Sequence, residues 1–236
     1  MAAKRLPKVL AWLVTLLMPV ALTLAAVRAV LGPWYVELEY RTPDFPEDPF
    51  GFTLQDRLDY SKVAIEYLVN DADLSFLGDL RFPEGQQAPP YSCADMDDCT
   101  RLYNERELEH MLDVKIVVQA ALRVWYVSLA ALLLLGLLAW RMGWWEEYRT
   151  GLWRGGWLTL IVIGLVLAFV TLAFGVIFVA FHQVFFQSGT WSFPYSDTLI
   201  RLFPERFWRD TFLVVGGLTA LFGLAAALLT RRHKVS

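Results

Sequence analysis

Residues 157–186 read WLTLIVIGLVLAFVTLAFGVIFVAFHQVFF, and His182 is the only ionisable side chain among them. An α-helix needs about 20 apolar residues to cross the ~30 Å hydrocarbon layer of a membrane. Three further stretches are of this kind, at 9–31, 114–140 and 211–230. The apolar fraction of 56% and the mean hydropathy of +0.42 are unusual for a soluble domain. The sequence therefore predicts an all-α membrane protein with four transmembrane helices.

The first apolar stretch has a second interpretation, as a secretory signal peptide. Lys4, Arg5 and Lys8 precede it, and Ala25 and Ala26 near its end are small. The run is long for the apolar region of a signal peptide and has no clear cleavage site. A retained first helix is the expectation.

The distribution of Lys and Arg predicts the orientation of the helices. Segment 32–112 holds six basic and eighteen acidic side chains. The N-terminal tail, the loop 141–156 and the C-terminal tail each hold three Lys or Arg side chains. Because basic loops stay on the cytoplasmic side, we expect both termini inside, and 32–112 and 187–210 outside.

The predicted organisation alternates membrane helices with connecting segments. In chain order it comprises a cytoplasmic tail with transmembrane helix 1 (1–31), an extracytoplasmic cap (32–112), transmembrane helix 2 (113–140), a cytoplasmic loop (141–156), transmembrane helix 3 (157–186), an extracytoplasmic interfacial segment (187–210), and transmembrane helix 4 with a cytoplasmic tail (211–236). No internal repeat or broken-helix signal of the kind found in transporters is evident.

The cap is expected to be small, helical in part and otherwise irregular. The stretch WYVELEY at 34–40 is either a short strand or an interfacial segment, and apolar spacing predicts a helix over 53–69. Asn104 and Glu107 have the spacing of a reciprocal helix cap. No helix breaker follows before Gly136, so this helix is expected to continue into the second membrane span, with His110 about one turn outside the membrane.

Cys93 and Cys99 both lie in the predicted cap. An oxidising compartment permits a disulfide between them. A metal-binding pair is the alternative, and it is disfavoured because no second cluster of Cys or His lies nearby in the sequence.

Two histidines are candidates for chemistry. His110 has Glu107 three residues before it and Asp113 three after it, so either carboxylate can share its helical face. A carboxylate bound to one imidazole nitrogen fixes the tautomer and leaves the other nitrogen free. From local sequence alone, a solvated histidine on an acidic helix is an equally ordinary reading.

His182 lies near the outer end of an otherwise apolar helix. An ionisable group at membrane depth is costly without a partner and points to function. The alternative is an interfacial histidine bonded to the backbone or to a lipid headgroup. The predicted topology puts His110 and His182 at the same boundary, where two imidazoles suit proton transfer and stabilisation of a developing negative charge.

The segment WSFPYSDTLIRLFPERFW at 191–208 has an amphipathic pattern. Asp197 and Arg201 are expected to face water or protein. The apolar side chains expected to face lipid are Leu199, Ile200, Leu202 and Phe203. Lys115 and Arg123 are expected to extend toward the outer membrane surface.

Three motifs carry a resemblance to a known family. NERELEHMLDVK at 104–115, FHQVFFQSGTW at 181–191 and DTLIRLFPERF at 197–207 resemble the lipoprotein intramolecular transacylase family. The resemblance implies an enzyme of the bacterial plasma membrane that moves the sn-2 acyl chain of a diacylglyceryl-cysteine lipoprotein to its N-terminal amine. It matches two catalytic histidines to His110 and His182. Its partners are membrane lipids and the diacylated lipoprotein, with no nucleic acid, no metal and no cofactor.

The residues suit that reaction without a covalent acyl-enzyme. We expect His182 nearer the ester and His110, oriented by Glu107 or Asp113, as the base. The residues expected to support the site are Glu107, Asp113, Gln183, Trp191, Asp197 and Arg201. Two alternatives stay open: another lipid acyltransferase or hydrolase, and a non-enzymatic assembly or lipid- and protein-binding factor with an acidic external cap.

Overall fold

Residues 6–94 and 96–231 are described by the structure, a computed structural model. Within them the chain forms nine helices and no β-strand, with one isolated bridge that pairs Arg81 with Arg101. The helices are α1 (Leu6–Val30), α2 (Pro33–Tyr40), α3 (Leu54–Val69), α4 (Ser75–Gly78), α5 (Pro90–Cys93), α6 (Glu105–Met142), α7 (Trp145–Phe185), α8 (Thr198–Leu202) and α9 (Glu205–Leu229).

Helices α1, α6, α7 and α9 are long and apolar enough to cross a membrane. The predicted all-α class with four spans is therefore confirmed. The orientation of the helices and the side of the membrane on which the cap lies remain predictions. The basic residues Lys4, Arg5, Arg232 and Lys234 lie outside the described residues.

Two local predictions need correction, and α7 has a break that no prediction covered. The stretch 34–40 forms α2 and not a strand, because Pro33 at its start is favourable in the first turn of a helix. Most of 141–156, expected to be a loop, belongs to α7, which begins at Trp145. Helix α7 is not continuous: Ala173 has φ −150° and ψ 49°, outside the helical region.

The chain divides into two compact units, and the first contains most of the apolar helix length. It comprises the described residues of Met1–Ala29, Ala121–Leu172 and Phe212–Ser236. Its core is built around Val14, Met18, Leu132, Trp144 and Tyr148. The Tyr148 hydroxyl donates to the carbonyl of Leu132 at 3.0 Å, which satisfies a polar group at apolar depth.

Glycine permits a close helix contact in the first unit, between α7 and α9. A Cβ added to Gly156 would lie 2.7 Å from the backbone atoms Ala227 N and Gly223 O. Backbone atoms cannot move aside as a flexible side chain can, so Gly156→Ala should force the helices apart. We expect a loss of about 1–3 kcal/mol in the free energy of unfolding. Gly164→Ala is the matched control, because its added Cβ would meet nothing within 4 Å. Thermal unfolding of the two purified variants measures the loss of stability in each. Equal losses in Gly156→Ala and Gly164→Ala would contradict the prediction.

The second unit comprises Val30–Ala120 and Ala173–Thr211. Its core contains fully buried Tyr35, Tyr67, Tyr103, Leu77 and Leu102. Helix α3 begins at an N-cap on Thr53, whose side chain and that of Asp56 form a capping box, so the predicted helix over 53–69 is confirmed.

The amphipathic reading of 191–208 is wrong in part. Leu199, Leu202 and Phe203 are buried in protein, at 6%, 0% and 7% exposure. Arg201 faces protein, which is one of the two surroundings expected for it, and pairs with Asp48. An apolar face that suits lipid suits a protein core equally well, and the sequence pattern does not distinguish the two.

Lys115 does not extend toward a membrane surface as expected. Its side chain bonds Asn70 Oδ1 at 3.2 Å and the carbonyl of Ala72, and it lies 3.9 Å from the centre of the Tyr67 ring. Because Asn70 is the C-cap of α3, Lys115 fastens the end of that helix to α6.

Glu39 on α2 is buried beside a second carboxylate. The Thr211 hydroxyl donates to the carbonyl of Phe207, so Tyr35 must donate its own hydroxyl proton to Thr211. That proton is then not available to Glu39 Oε2, which lies 3.5 Å from the Tyr35 hydroxyl, and Glu39 Oε1 has no hydrogen-bond partner among the described residues. Burial and the charge of Asp210 raise the pKa of Glu39 to about 7.

This arrangement predicts a pH dependence of stability. In the unfolded chain Glu39 has its ordinary pKa of 4.5. The folded state therefore binds the proton of the Glu39 carboxyl more tightly than the unfolded state does. The contribution to stability is complete below pH 4.5 and is lost as pH rises to about 7, at no more than about 1.4 kcal/mol per pH unit. Glu39→Gln should remove this slope, since an amide can donate to Asp210 at any pH. Thermal unfolding between pH 4.5 and 8.5 tests it, and the same slope in both proteins would contradict it.

Candidate functional site

A cavity of about 100 Å³ lies in the second unit. Its walls are mainly apolar, and the side-chain nitrogen atoms around it belong to His110, His182, Trp191 and Trp208. The aliphatic side chains in the wall come from α3, α6 and α8, and they are Ala64, Ile65, Leu68, Met111, Val114, Leu199 and Ile200.

The two histidines face this cavity from different helices. His110 lies near the start of α6, and His182 lies in the last turn of α7. Their ring centres are 6.2 Å apart, and the ring planes are nearly parallel, at 17°. Imidazoles at this separation can act on neighbouring atoms of one bound molecule.

The tautomer of His182 follows from its hydrogen bond. Nδ1 lies 2.7 Å from the carbonyl oxygen of Phe178, four residues earlier on the same helix. A carbonyl only accepts, so Nδ1 carries the proton, and Nε2 of the neutral ring is left with a free lone pair. The rings of Phe178 and Trp191 pack on the imidazole at 4.1 Å and 4.9 Å. His182 is thus built as a proton acceptor.

His110 has a different environment. The residue is 8% exposed, and the rings of Phe186 and Phe193 pack against it at 5.0 Å and 5.3 Å. Its Nδ1 is buried and has no hydrogen-bond partner in the described part of the chain. An imidazolium here would be buried among aromatic rings and beside a second imidazole, so the neutral ring is favoured.

Glu107 is not the partner of His110. One carboxylate oxygen accepts from Asn104 N at 2.9 Å, and the other accepts from Leu199 N at 2.7 Å. Asn104 Oδ1 in turn accepts from the amide of Glu107 at 3.0 Å, so the predicted reciprocal cap is present. Asp113 is half-buried and does not line the cavity.

The other expected supporting residues divide between the cavity and its surroundings. Trp191 lines the cavity, whereas Gln183 is exposed and does not. Asp197 is fully buried and accepts from Arg106 at 3.2 Å. Arg201 lies in its ion pair with Asp48, away from the cavity wall.

Two contacts of the histidines could not be predicted from the sequence. One is the bond to the carbonyl of Phe178, because every residue four positions earlier in a helix has a backbone carbonyl and the residue type carries no information about it. Nothing in the sequence distinguishes Phe193 from the other aromatic residues of 191–208, although its ring packs on His110.

Cys93 and Cys99 are joined by a disulfide. The residue before the bridge, Ser92, is buried, and its hydroxyl is 2.8 Å from that of Ser196. No group of three or more potential metal ligands occurs within residues 6–94 and 96–231.

The family model described as "Lipoprotein intramolecular transacylase Lit" matches residues 10–208. The chain belongs to this family. An uncharacterised protein of Aquifex aeolicus (strain VF5) is 29% identical over 219 residues, which cover 92% of this chain and 91% of the relative. The resemblance stated from the three motifs is confirmed.

The fold is shared with solved structures of the Lit family. The structure of the membrane integral lipoprotein intramolecular transacylase Lit from Bacillus cereus superposes with a TM-score of 0.72 at 19% identity, over 96% of this chain and 93% of that one. A variant of the same protein, with one histidine replaced by arginine, gives a TM-score of 0.68 at 21% identity, over 97% and 92%. With its four apolar helices, this member of the Lit family is a multi-pass membrane protein.

Proposed function

We propose that the protein is a lipoprotein intramolecular transacylase of a bacterial plasma membrane. It moves the sn-2 acyl chain of a diacylglyceryl-cysteine lipoprotein onto the α-amino group of that cysteine. The observation that carries the proposal is the placement of His110 and His182 on one apolar cavity, in a chain of the Lit family. In this proposal both termini are cytoplasmic, and 32–112 and 187–210 face outward.

The reaction needs one proton acceptor and one donor. The substrate ammonium loses a proton, and the amine attacks the ester carbonyl carbon, so a C–N bond forms and the carbonyl oxygen becomes an oxyanion. Collapse of this intermediate breaks the bond to the sn-2 oxygen, and the second proton lost by the nitrogen passes to that oxygen, which becomes a hydroxyl. Ester and ammonium thus become amide, alcohol and one released proton. Amine and ester belong to one molecule, so positioning alone can supply several kcal/mol.

The hydrogen bonds favour one division of roles. His182 Nε2 takes the proton from the ammonium, because the carbonyl of Phe178 holds Nδ1–H and also stabilises the imidazolium that forms. His110 stays neutral and donates Nε2–H to the oxyanion, because an unpaired lone pair on its buried Nδ1 is tolerated better than an unpaired N–H. This order is the reverse of the one expected from sequence.

The size of the cavity limits what it holds. An apolar cavity of about 150 Å³ binds one benzene molecule, and this cavity, at about 100 Å³, is smaller. That space suits the ester and the amine at the edges of the two rings, where the imidazole nitrogen atoms lie. The remainder of each acyl chain lies outside it.

Expression beside a diacylated lipoprotein reporter, in a bacterium without its own N-acylating enzymes, tests the proposal. Acyl transfer is an isomerisation, so the mass of the N-terminal peptide stays constant, and fragmentation must locate the acyl group. The expected spectrum has one chain on the amine and a free hydroxyl on the glyceryl group. Loss of one acyl mass would indicate a hydrolase. A free amine with both esters intact, in cells that hold inserted protein, would favour a binding role.

A further inference from the structure

We infer that Glu107 is a positioning residue that sets the distance between His110 and the α8 wall of the cavity. It does so by binding two backbone amides, one at the start of α6 and one in α8. This inference rests on the proposed function, and it assigns Glu107 no contact with the substrate.

The carboxylate is a buried bridge between two helices. Glu107 is 1% exposed, and each of its oxygens accepts from a backbone amide, Asn104 N at 2.9 Å and Leu199 N at 2.7 Å. These amides are far apart in sequence. Both amides lie at the start of a helix, where the helix itself offers no acceptor. The carboxylate accepts from both and so links the two helices.

The bridge lies one helical turn from the chemistry. Glu107 and His110 are three residues apart and share a face of α6. Leu199 and Ile200 of α8 line the same cavity as His110. The separation between the imidazole and this wall therefore depends on the bond from Leu199 N to the carboxylate.

Two further hydrogen bonds hold the start of α8 next to the start of α6. The Thr198 hydroxyl donates to the carbonyl of Leu102 at 2.5 Å, and Arg106 donates to Asp197 at 3.2 Å. The run that leads into this anchor carries Trp191 and Phe193, whose rings pack on His182 and His110. An error in the placement of α8 would reach both histidines.

Glu107→Gln is the test variant. Glutamine offers one carbonyl oxygen and one NH₂ group, so one of the two amides would face a second donor instead of an acceptor. We expect faster hydrogen exchange in the peptide that contains Leu199. We also expect a fall of about 10–100-fold in kcat with little change in KM, because a displacement of about 1 Å has an effect of that size.

Leu77→Ala is the control for general destabilisation. Leu77 on α4 is fully buried in the same unit, but it does not line the cavity. This variant should unfold at lower temperature and keep both kcat per folded molecule and the exchange protection of Leu199. Thr198→Val, which removes only the adjacent anchor, should change exchange and kcat in the same direction as Glu107→Gln but less, and it keeps the test decisive if Glu107→Gln does not fold.

Unchanged exchange at Leu199 in Glu107→Gln would overturn the inference, and so would faster exchange with an unchanged kcat. A wild-type protein without acyl transfer would instead contradict the proposed function, while the exchange data would still report on the bridge.

Discussion

His182→Ala is expected to lower the rate of acyl transfer by about 10²–10⁴-fold, the usual contribution of a general base. The protein should still insert and fold, because the side chain is only half-buried and its single hydrogen bond is to its own helix. The measurement is the fraction of N-acylated reporter peptide against time. Val184→Ala, two residues along the helix and 75% exposed, is the control and should match wild type.

His110→Ala should be similarly inactive, and glutamine substitutions separate the two roles. A glutamine NH₂ can replace a neutral imidazole N–H as a donor, but it cannot accept a proton from an ammonium group. His110→Gln should therefore keep more activity than His182→Gln. Glu109→Ala is the control on α6, because Glu109 is exposed beside His110. A more active His182→Gln would restore the order of roles expected from sequence, and full activity in both alanine variants would exclude catalysis by histidine.

Asp48→Asn is expected to cost about 3–5 kcal/mol in the free energy of unfolding of the second unit. The ion pair is buried, with side-chain exposure of 1% for Arg201 and 0% for Asp48. Two bonds of 3.0 Å and 2.9 Å join the groups, and the guanidinium lies 3.6 Å from the centre of the Phe52 ring. Removing one charge leaves the other buried without balance, which is among the most destabilising single changes.

The control for this prediction is an exposed ion pair in the same unit. Glu105 pairs with Arg101 at 3.1 Å, and its side chain is 75% exposed. Glu105→Gln should change stability by less than about 1 kcal/mol. Thermal unfolding of the purified variants gives the comparison. Equal stability of the two variants would mean that the buried pair contributes no more than a surface pair.

Apolar run length was sufficient to predict the four spans, because the hydrocarbon layer imposes a minimum length on any helix that crosses it. Local spacing also predicted the cap between Asn104 and Glu107. The second oxygen of Glu107 was beyond prediction, since its donor Leu199 lies 92 residues away. The same limit applies to Arg201 and Asp48, which are 153 residues apart.

The proposed roles of the histidines differ from those expected from sequence for a related reason. Sequence spacing brought Glu107 and Asp113 onto the face of His110, and a nearby carboxylate suggested a base. The structure directs Glu107 to two backbone amides instead. The hydrogen bond that does fix a tautomer comes from a backbone carbonyl beside His182, and a carbonyl leaves no signature in side-chain chemistry.

The cavity of about 100 Å³ has a consequence for fatty-acid selectivity. A pocket that discriminates between acyl chains by length must enclose the chain as far as its methyl end. This cavity is smaller than the void of about 150 Å³ that binds one benzene molecule, so it does not enclose a fatty-acyl chain. On the proposed function, lipoproteins carrying short, long or branched tails should therefore be processed alike, and a bacterium could change its membrane lipids with temperature without losing the modification.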